Sequence, residues 1–406
     1  MTRTGRFEWS VVFLFVILAA ISRSPALIVL AAGGLVLGGV VWLTARIALV
    51  ALEPTVEVSA DHVVSGEPIV ATVRIANRKP VPLPWLDLRL FLPDGLEPER
   101  TGPRDAMPVP HGWVNAGFSP RGHERLTVRF PLVTVQRGAY AIGPLRLRAS
   151  DWLGFFSVER TIDISIPIVA YPAPLNTRDR HLPSLRPLAE TAVRRGLLPD
   201  PLRFRGVREH QTGDPRKEIH WKASARLRTL QTKLYEPATS LDAVFLVNVA
   251  SYEQYWIQAD PEAVELVVSA AADLVREAAN NGRQVGLVTN GIDNLTHERP
   301  RSALSRGPRS LTRSLEILAR LGPYAANSPE IVFLAERGHI PWGATLIVVT
   351  PKISTGLATA MLALRRAHHR VLALSVLPTA PEVVSHLLAR GVVVDVLHPA
   401  ELRRAV

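Results

Sequence analysis

The apolar positions fall into three successive patterns along the chain, and each asks for a different architecture. At the start they are continuous. Trp9–Ile21 and Ala26–Leu43 are apolar runs separated by Ser22-Arg23-Ser24-Pro25. A helix needs about 20 apolar residues to cross a bilayer; the second run is close to that length, and the first gains it with Phe7 and Trp9 at the interface. Together they predict a transmembrane helical hairpin over residues 1–52. An immediate second span and the lack of a small-residue cleavage site set it apart from a signal peptide. Arg3, Arg6 and Arg46 flank the outer ends, against Arg23 in the turn. The positive-inside rule therefore predicts an inner (plasma) membrane protein with two spans and its bulk in the cytoplasm. Gly34 and Gly38 lie four apart and permit close helix packing, within the hairpin or between protomers.

From Val56 to Ile168 the period changes to two. Val56–Ser59, Ile69–Ile75, Trp85–Leu90, Arg125–Phe130 and Leu145–Arg148 alternate between turn signals, which predicts an immunoglobulin-like β-sandwich over residues 53–168. Pro93-Asp94-Gly95 reads as a turn, Tyr140, Trp152 and Phe155 as core aromatics, and residues 98–123 as an irregular connection. Residues 169–202 are rich in Pro and Arg without a sustained period and predict a flexible basic linker. After Pro237 strands alternate with helices. Ala243–Val249, Gln284–Thr289, Thr345–Thr350, Val371–Ser375 and Val392–Leu397 read as strands; Pro261–Asn280, capped by Asp260, Leu311–Leu321, Glu330–Arg337, Thr355–His368 and Pro381–Arg390 read as helices. That repetition predicts an α/β doubly wound parallel sheet over residues 241–406. His368-His369 read as cations complementing a helix end.

Between linker and sheet lies the densest polar chemistry of the chain, Arg203–Glu236, in a region spanning residues 203–240. Gly213-Asp214-Pro215 is a turn signal, with Asp214 as N-cap of a short helical turn. Ile219, Trp221 and Ala223 alternate with His220, Lys222 and Ser224, while Trp221 and Ala225 also share a helical face; both periods stay open. The candidate interaction residues are Arg208, Gly213, Asp214, Pro215, Arg216, Ile219, His220, Trp221, Lys222, Ser224, Ala225 and Arg226. Asp214 is expected to grip Arg208, Arg216 or Arg226 through charge-assisted bonds. The competing reading is a brace between two domains.

Composition narrows the chemistry. The 406 residues carry no cysteine, which excludes disulfides, zinc thiolates and a thiol nucleophile. Net charge is +11, and Arg178–Lys233 holds 14 basic against 6 acidic residues. Beside a membrane anchor this favours an anionic leaflet or an acidic partner. No nucleic-acid recognition motif, P-loop or Gly-rich phosphate turn is present. His210, His220, Asp214, Glu209 and Glu218 show no metal-ligand spacing. A hydrolase using Asp214, His220 and Glu218, or a small-ligand site there, is the alternative, although Ser224 lacks an elbow sequence.

The run REHQTGDPRKEIHWKASAR, Arg208–Arg226, resembles the bacterial family carrying domain of unknown function 58. Arg137–Pro144 and Asp151–Phe156 resemble segments of the same family. The resemblance implies two amino-terminal spans, a β-rich middle, a von Willebrand factor A-like end and a link to MoxR-type AAA+ ATPases, with no defined activity. A domain of that type would carry an Asp-x-Ser-x-Ser metal motif after its first strand. Here the register reads Asn248-Val249-Ala250-Ser251-Tyr252, and Thr350 stands where a further acidic ligand is expected. Divalent cations need carboxylate charge, so neither metal nor cofactor is expected. The resulting expectation is a membrane-anchored cytoplasmic adaptor, partner of a MoxR-type ATPase in complex assembly or envelope maintenance.

Overall fold

The computed structural model describes residues 2–4, 14, 16–18, 20–21, 25–99, 107–109, 112–151, 157–175, 199–211, 214, 216–237, 242–341 and 343–397. It divides into two units, Met1–Tyr171 and Pro172–Val406.

The first unit opens with β1 (Thr2–Thr4) and α1 (Pro25–Ile47). Within α1, the 20 residues Pro25–Thr44 have a mean hydropathy of 2.4, and little of this stretch is buried. It is the one helix among the described residues long and apolar enough to cross a membrane. Most of the other predicted span, Trp9–Ile21, lies outside the described residues.

Strands follow in quick succession: β2 (Leu52–Val58), β3 (His62–Val64), β4 (Pro68–Asn77), β5 (Trp85–Phe91), β6 (Leu96–Pro98), β7 (Met107–Val109) and β8 (Trp113–Phe118). Then come β9 (Arg125–Thr134), β10 (Gly138–Ile142), β11 (Leu145–Ser150), β12 (Ser157–Ile162) and β13 (Ile166–Tyr171). One sheet runs β1-β12-β11-β5-β8-β7 and another β2-β4-β9-β6, with a smaller β10-β13-β3 sheet beside them. The period-two pattern explains the sandwich. Ala71, Val73 and Ile75 of β4 and Leu86, Leu88 and Leu90 of β5 turn inward from opposite sheets into one shared core, while their sequence neighbours face out. Full burial of such a side chain contributes about 1.5–3 kcal/mol.

The stretch 98–123, expected to be irregular, contributes β8 to the interior of the first sheet, next to β5. Val114 and Ala116 are buried there, but Asn115 and Gly117 on the other face hid the alternation. Tyr140 is half-buried against the core, and its hydroxyl donates to the Gln136 carbonyl at 2.6 Å. The same ring lies over Gly95 of the predicted turn, whose φ of 92° suits glycine. Trp152 and Phe155 lie outside the described residues.

Helix α1 ends directly in the sandwich. Ala48 and Leu49 are buried in its core. Lys79 Nζ donates to the Ile47 carbonyl at 2.7 Å and to the Ala48 carbonyl, placing a cation on the negative end of the helix. Burial pushes this ammonium down to about 8, which leaves it largely charged at neutral pH.

The second unit contains a ribbon of β14 (Pro199–Glu209) and β15 (Gln231–Pro237), joined through the short helix α2 (Trp221–Leu227). Beyond it lie β16 (Asp242–Val247), α3 (Pro261–Asn280), β17 (Gln284–Thr289), β18 (Gly291–Asp293), β19 (Arg301–Ser305), α4 (Pro308–Arg320), β20 (Leu321–Ala325) and α5 (Pro329–Ala335). The chain continues with β21 (Thr345–Thr350), α6 (Thr355–Arg366), β22 (Arg370–Ser375), α7 (Pro381–Ala389) and β23 (Val393–Val396). Asp260 caps α3 as expected, accepting from the Ala263 amide at 3.1 Å.

The main sheet is ordered β19-β17-β16-β21-β22-β23. Five strands are parallel, but the edge strand β19 is antiparallel to β17, which corrects the all-parallel expectation. Its sequence, Arg-Ser-Ala-Leu-Ser, is too polar for a central strand and suits an edge. The strand order reverses between β16 and β21, the switch point of such a sheet.

Two further readings change. Residues 172–175, expected to belong to a flexible linker, are tied to α3: Asp273 accepts from the Leu175 amide at 2.8 Å, and Arg276 donates to the Pro172 carbonyl at 2.9 Å. Pro199–Leu202, from the same predicted linker, begin β14. His369, read as a cation at the end of α6, is buried, and burial pushes its imidazole pKa down towards the neutral form.

Candidate interaction site

The ribbon supplies the floor of the site. Arg208 on β14 stands opposite Thr232 on β15, and Glu209 opposite Gln231. Asp214 folds back over this floor. Its carboxylate accepts from Arg208 Nη1 and Nη2, both at 2.7 Å, from the Gln211 amide at 3.0 Å and from Thr232 Oγ1 at 3.2 Å. This is the bidentate fork expected of an arginine–carboxylate pair. The Arg208 bonds, then the Gln211 amide, hold the Asp214 carboxyl well below the usual carboxylate range. The same bonds raise the Arg208 pKa. Arg208 is thus the partner among the three considered. The bonds of the carboxylate tie it to the ribbon and to the Gln211 amide, and the helical turn Arg216–Glu218 follows it in the chain.

The helical period wins in the following segment. Ile219 bridges to Thr232 and is buried, and the His220 amide donates to the Gln231 carbonyl at 2.8 Å. His220 then caps α2, its Nδ1 accepting from the Ala223 amide at 3.0 Å. An Nδ1 that accepts carries no proton, so any neutral-ring proton sits on Nε2. Ser224 Oγ donates to the His220 carbonyl at 3.0 Å and accepts from the Gln231 amide at 2.8 Å, sewing α2 to the start of β15.

These bonds divide the candidates. Arg208, Asp214, Ile219, His220 and Ser224 build and pin the element. Trp221, Lys222, Ala225 and Arg226, with Arg216 before the helix, face solvent. No side chain of α2 is buried, and Trp221 is 68% exposed. Leu227 and Leu230 are exposed as well. Gly213 and Pro215 lie outside the described residues. Of the residues named for a hydrolase, Asp214 is held ionised by Arg208, and His220 Nδ1 accepts from the Ala223 amide.

Sequence reasoning missed Thr232, Gln231 and the role of His210, whose Nδ1 lies 2.9 Å from Thr232 Oγ1 and 3.8 Å from Asp214. A two-residue Gln-Thr step inside an extended run gave no warning of that role.

The positions compared with a metal motif lie in a second polar cluster, at the carboxyl ends of β16, β17 and β21. Asn248 Nδ2 donates to Thr350 Oγ1 at 2.8 Å and to the Ala250 carbonyl at 3.2 Å. Its Oδ1 accepts from the Ala250 amide at 2.9 Å and from Asn290 Nδ2 at 2.8 Å. Every polar valence of this buried amide is taken by a neutral partner. Asn248, Ala250 and Thr350 therefore come together, while Tyr252 is exposed. Asn290 was missed, although a polar residue directly after each apolar strand was its signal. Tyr252, Trp256 and Ile257 are exposed on the loop after β16. Among the described residues no group of three or more His, Cys, Asp or Glu could hold a metal ion.

Residues 206–386, covering the end of β14, α2, β15 and the sheet through most of α7, match the model of a family described as protein of unknown function DUF58. This stretch, a little under half of the chain, is DUF58-like in sequence. An uncharacterized protein of Bacillus subtilis (strain 168), YeaD, is 25% identical over 235 residues, which cover 56% of this chain and 53% of YeaD. The chain thus spans about half the length of that relative. Among solved structures, a type II cohesin domain from the cellulosome of Acetivibrio cellulolyticus is similar over 29% of this chain and 95% of its own, at 9% identity and a TM-score of 0.24. A non-cellulosomal cohesin from Archaeoglobus fulgidus is similar over 29% of this chain and 92% of its own, at 18% identity and a TM-score of 0.20.

Proposed function

We propose that this DUF58-like protein is a membrane-anchored interaction protein, that its working surface is the outward half of the Arg208–Arg226 motif, and that its partner is a MoxR-type AAA+ ATPase acting in complex assembly or envelope maintenance. One observation carries the reading. Helix α2 has no buried side chain, yet hydrogen bonds of His220 and Ser224 fix it to a ribbon that the Asp214–Arg208 fork closes. An exposed Trp on a pinned element, flanked by Lys222, Arg226 and Arg228, has the makeup of an interface anchor for an acidic, partly apolar surface.

Helix α1 is the anchor, and the geometry of β1 supports a second crossing. Thr4 pairs with Ser157, and Ser150, across the strand pair from Ser157, pairs with Trp85. The chain therefore leaves the sandwich at the end where Ala48 returns to it. Helix α1 is about 35 Å long at 1.5 Å per residue. The apolar run Trp9–Ile21 in between is the candidate for that second crossing. The basic ends then put the bulk of the protein in the cytoplasm.

The remaining modules are the sandwich, the motif ribbon and a carboxyl-terminal domain of von Willebrand factor A type. The sheet order and its single antiparallel edge support that type, and the closed Asn248 network supports cation-independent use of it.

The test is affinity purification of the full-length protein from detergent-solubilised membranes, with Trp221→Ala and Asp214→Ala alongside. The reading expects an AAA+ ATPase with wild type and its loss with Trp221→Ala. Equal recovery from all three would remove the motif from the interface.

A further inference from the structure

The end of the sandwich that receives α1 has a built surface. Two loops meet there, residues 78–84 between β4 and β5 and residues 119–124 between β8 and β9. They are zipped together: Asn77 Nδ2 donates to the Val81 and Arg121 carbonyls at 3.1 and 2.8 Å, the His123 amide to Lys79 at 2.8 Å, and Ser119 Oγ to Pro84 at 2.6 Å. Lys79 locks this pair of loops to the last carbonyls of α1, and the Arg78 amide bonds Ala51. The exit of the helix and the loops are therefore one rigid piece.

Two kinds of side chain project from it. Val50, Val81 and Trp85 are exposed, Val50 in the first turn after α1. Arg78, Arg121 and Arg125 are exposed around them. On the outer face of β2, β4 and β9, a groove of about 620 Å³ is lined by Arg74, Arg78, His123 and Arg125 against Glu53. Arg74 is paired with Glu57 and Arg78 with Glu53, and Arg125 adds a further cation to the lining. Apolar tips among arginines, at the base of an apolar helix, match the layered chemistry of a bilayer interface.

We propose that this end of the sandwich is a docking surface for an anionic bilayer leaflet, with Val50, Val81 and Trp85 seated at the headgroup boundary and the basic groove taking phospholipid headgroups. The inference rests on the anchor proposed above. Its occupant follows from continuity. Only residues 45–47 separate the apolar span from buried Ala48, so little chain is left to hold the sandwich away from the membrane. Docking would fix the orientation of the sandwich rather than leave it tethered.

The absence of cysteine makes the test direct, because any introduced cysteine is the sole labelling site. Full-length Val81→Cys and Gln136→Cys proteins, the latter on the loop after the far end of β9, carry an environment-sensitive fluorophore. They are reconstituted into vesicles of phosphatidylcholine, or of phosphatidylcholine with about one-third phosphatidylglycerol, each containing headgroup nitroxide lipid. The expected result is quenching at position 81 at least about threefold stronger than at position 136, enhanced by the anionic lipid. Arg121→Gln with Arg125→Gln should abolish that enhancement while the protein still floats with vesicles. Equal, weak quenching at both positions in protein that floats would overturn the docking surface and leave the anchor standing. Strong quenching at position 81 without anionic dependence would overturn headgroup recognition. Failure to float would overturn the anchor, and the docking surface with it.

Discussion

At the scale of single residues the motif is a set of commitments. Asp214 has a folded-state pKa below its unfolded value. Its contribution to stability is therefore complete above the ordinary carboxylate pKa of about 4 and is lost as pH falls from there towards the folded value. Chemical denaturation of wild type and Asp214→Asn should show wild type more stable at neutral pH, with the gap narrowing below about pH 4. A gap independent of pH would mean that the fork is not the source. His220→Ala removes a helix cap and should cost about 1 kcal/mol, with Asn at the same position restoring much of it. Asn248→Ala opens a buried amide network and should cost about 3 kcal/mol, because several partners lose their bonds at once. Adding magnesium to wild-type protein should leave Tm unchanged; a rise of several degrees would reveal a cation site. The Arg208–Asp214 fork was legible in the sequence as one of three arginine partners, since charge complementarity names candidates but only the ribbon register selects among them. Thr232 was not legible, because its role depends on which strand β14 pairs with.

At the scale of elements, strong periods were readable and weak ones were not. The alternation in β4 and β5 and the amphipathic pattern of α3 each had one solution. By contrast, β8 and β19 are interrupted by Asn, Gly or Ser, and their membership in sheets is decided by neighbours distant in sequence. In α2 two periods competed, and the cap at His220 together with the Ser224 bonds decided for the helix. That helix ends at Arg228 in the left-handed region, with a φ of 58°. Glycine tolerates this conformation without the Cβ clash. Arg228→Gly should therefore hold or raise stability by up to about 1 kcal/mol in thermal unfolding, despite the loss of a surface charge. A clear destabilisation would show that the Arg228 side chain makes contacts worth more than the backbone strain.

At the scale of the whole molecule, the proposed parts are a membrane anchor, a sandwich docked at the bilayer and a pinned basic helix that meets a partner. Arg208, Asp214, Ile219, His220 and Ser224 build the motif's framework, and the proposal gives recognition to its outward half. That division is the central claim. The most direct test is photo-crosslinking in intact cells, with a benzophenone amino acid at position 221 of the full-length protein and, as control, at position 127 on the exposed face of β9. The account predicts a crosslinked AAA+ ATPase from position 221 and none from position 127. Absence of that product at position 221, from protein that is expressed and membrane-associated, would contradict it.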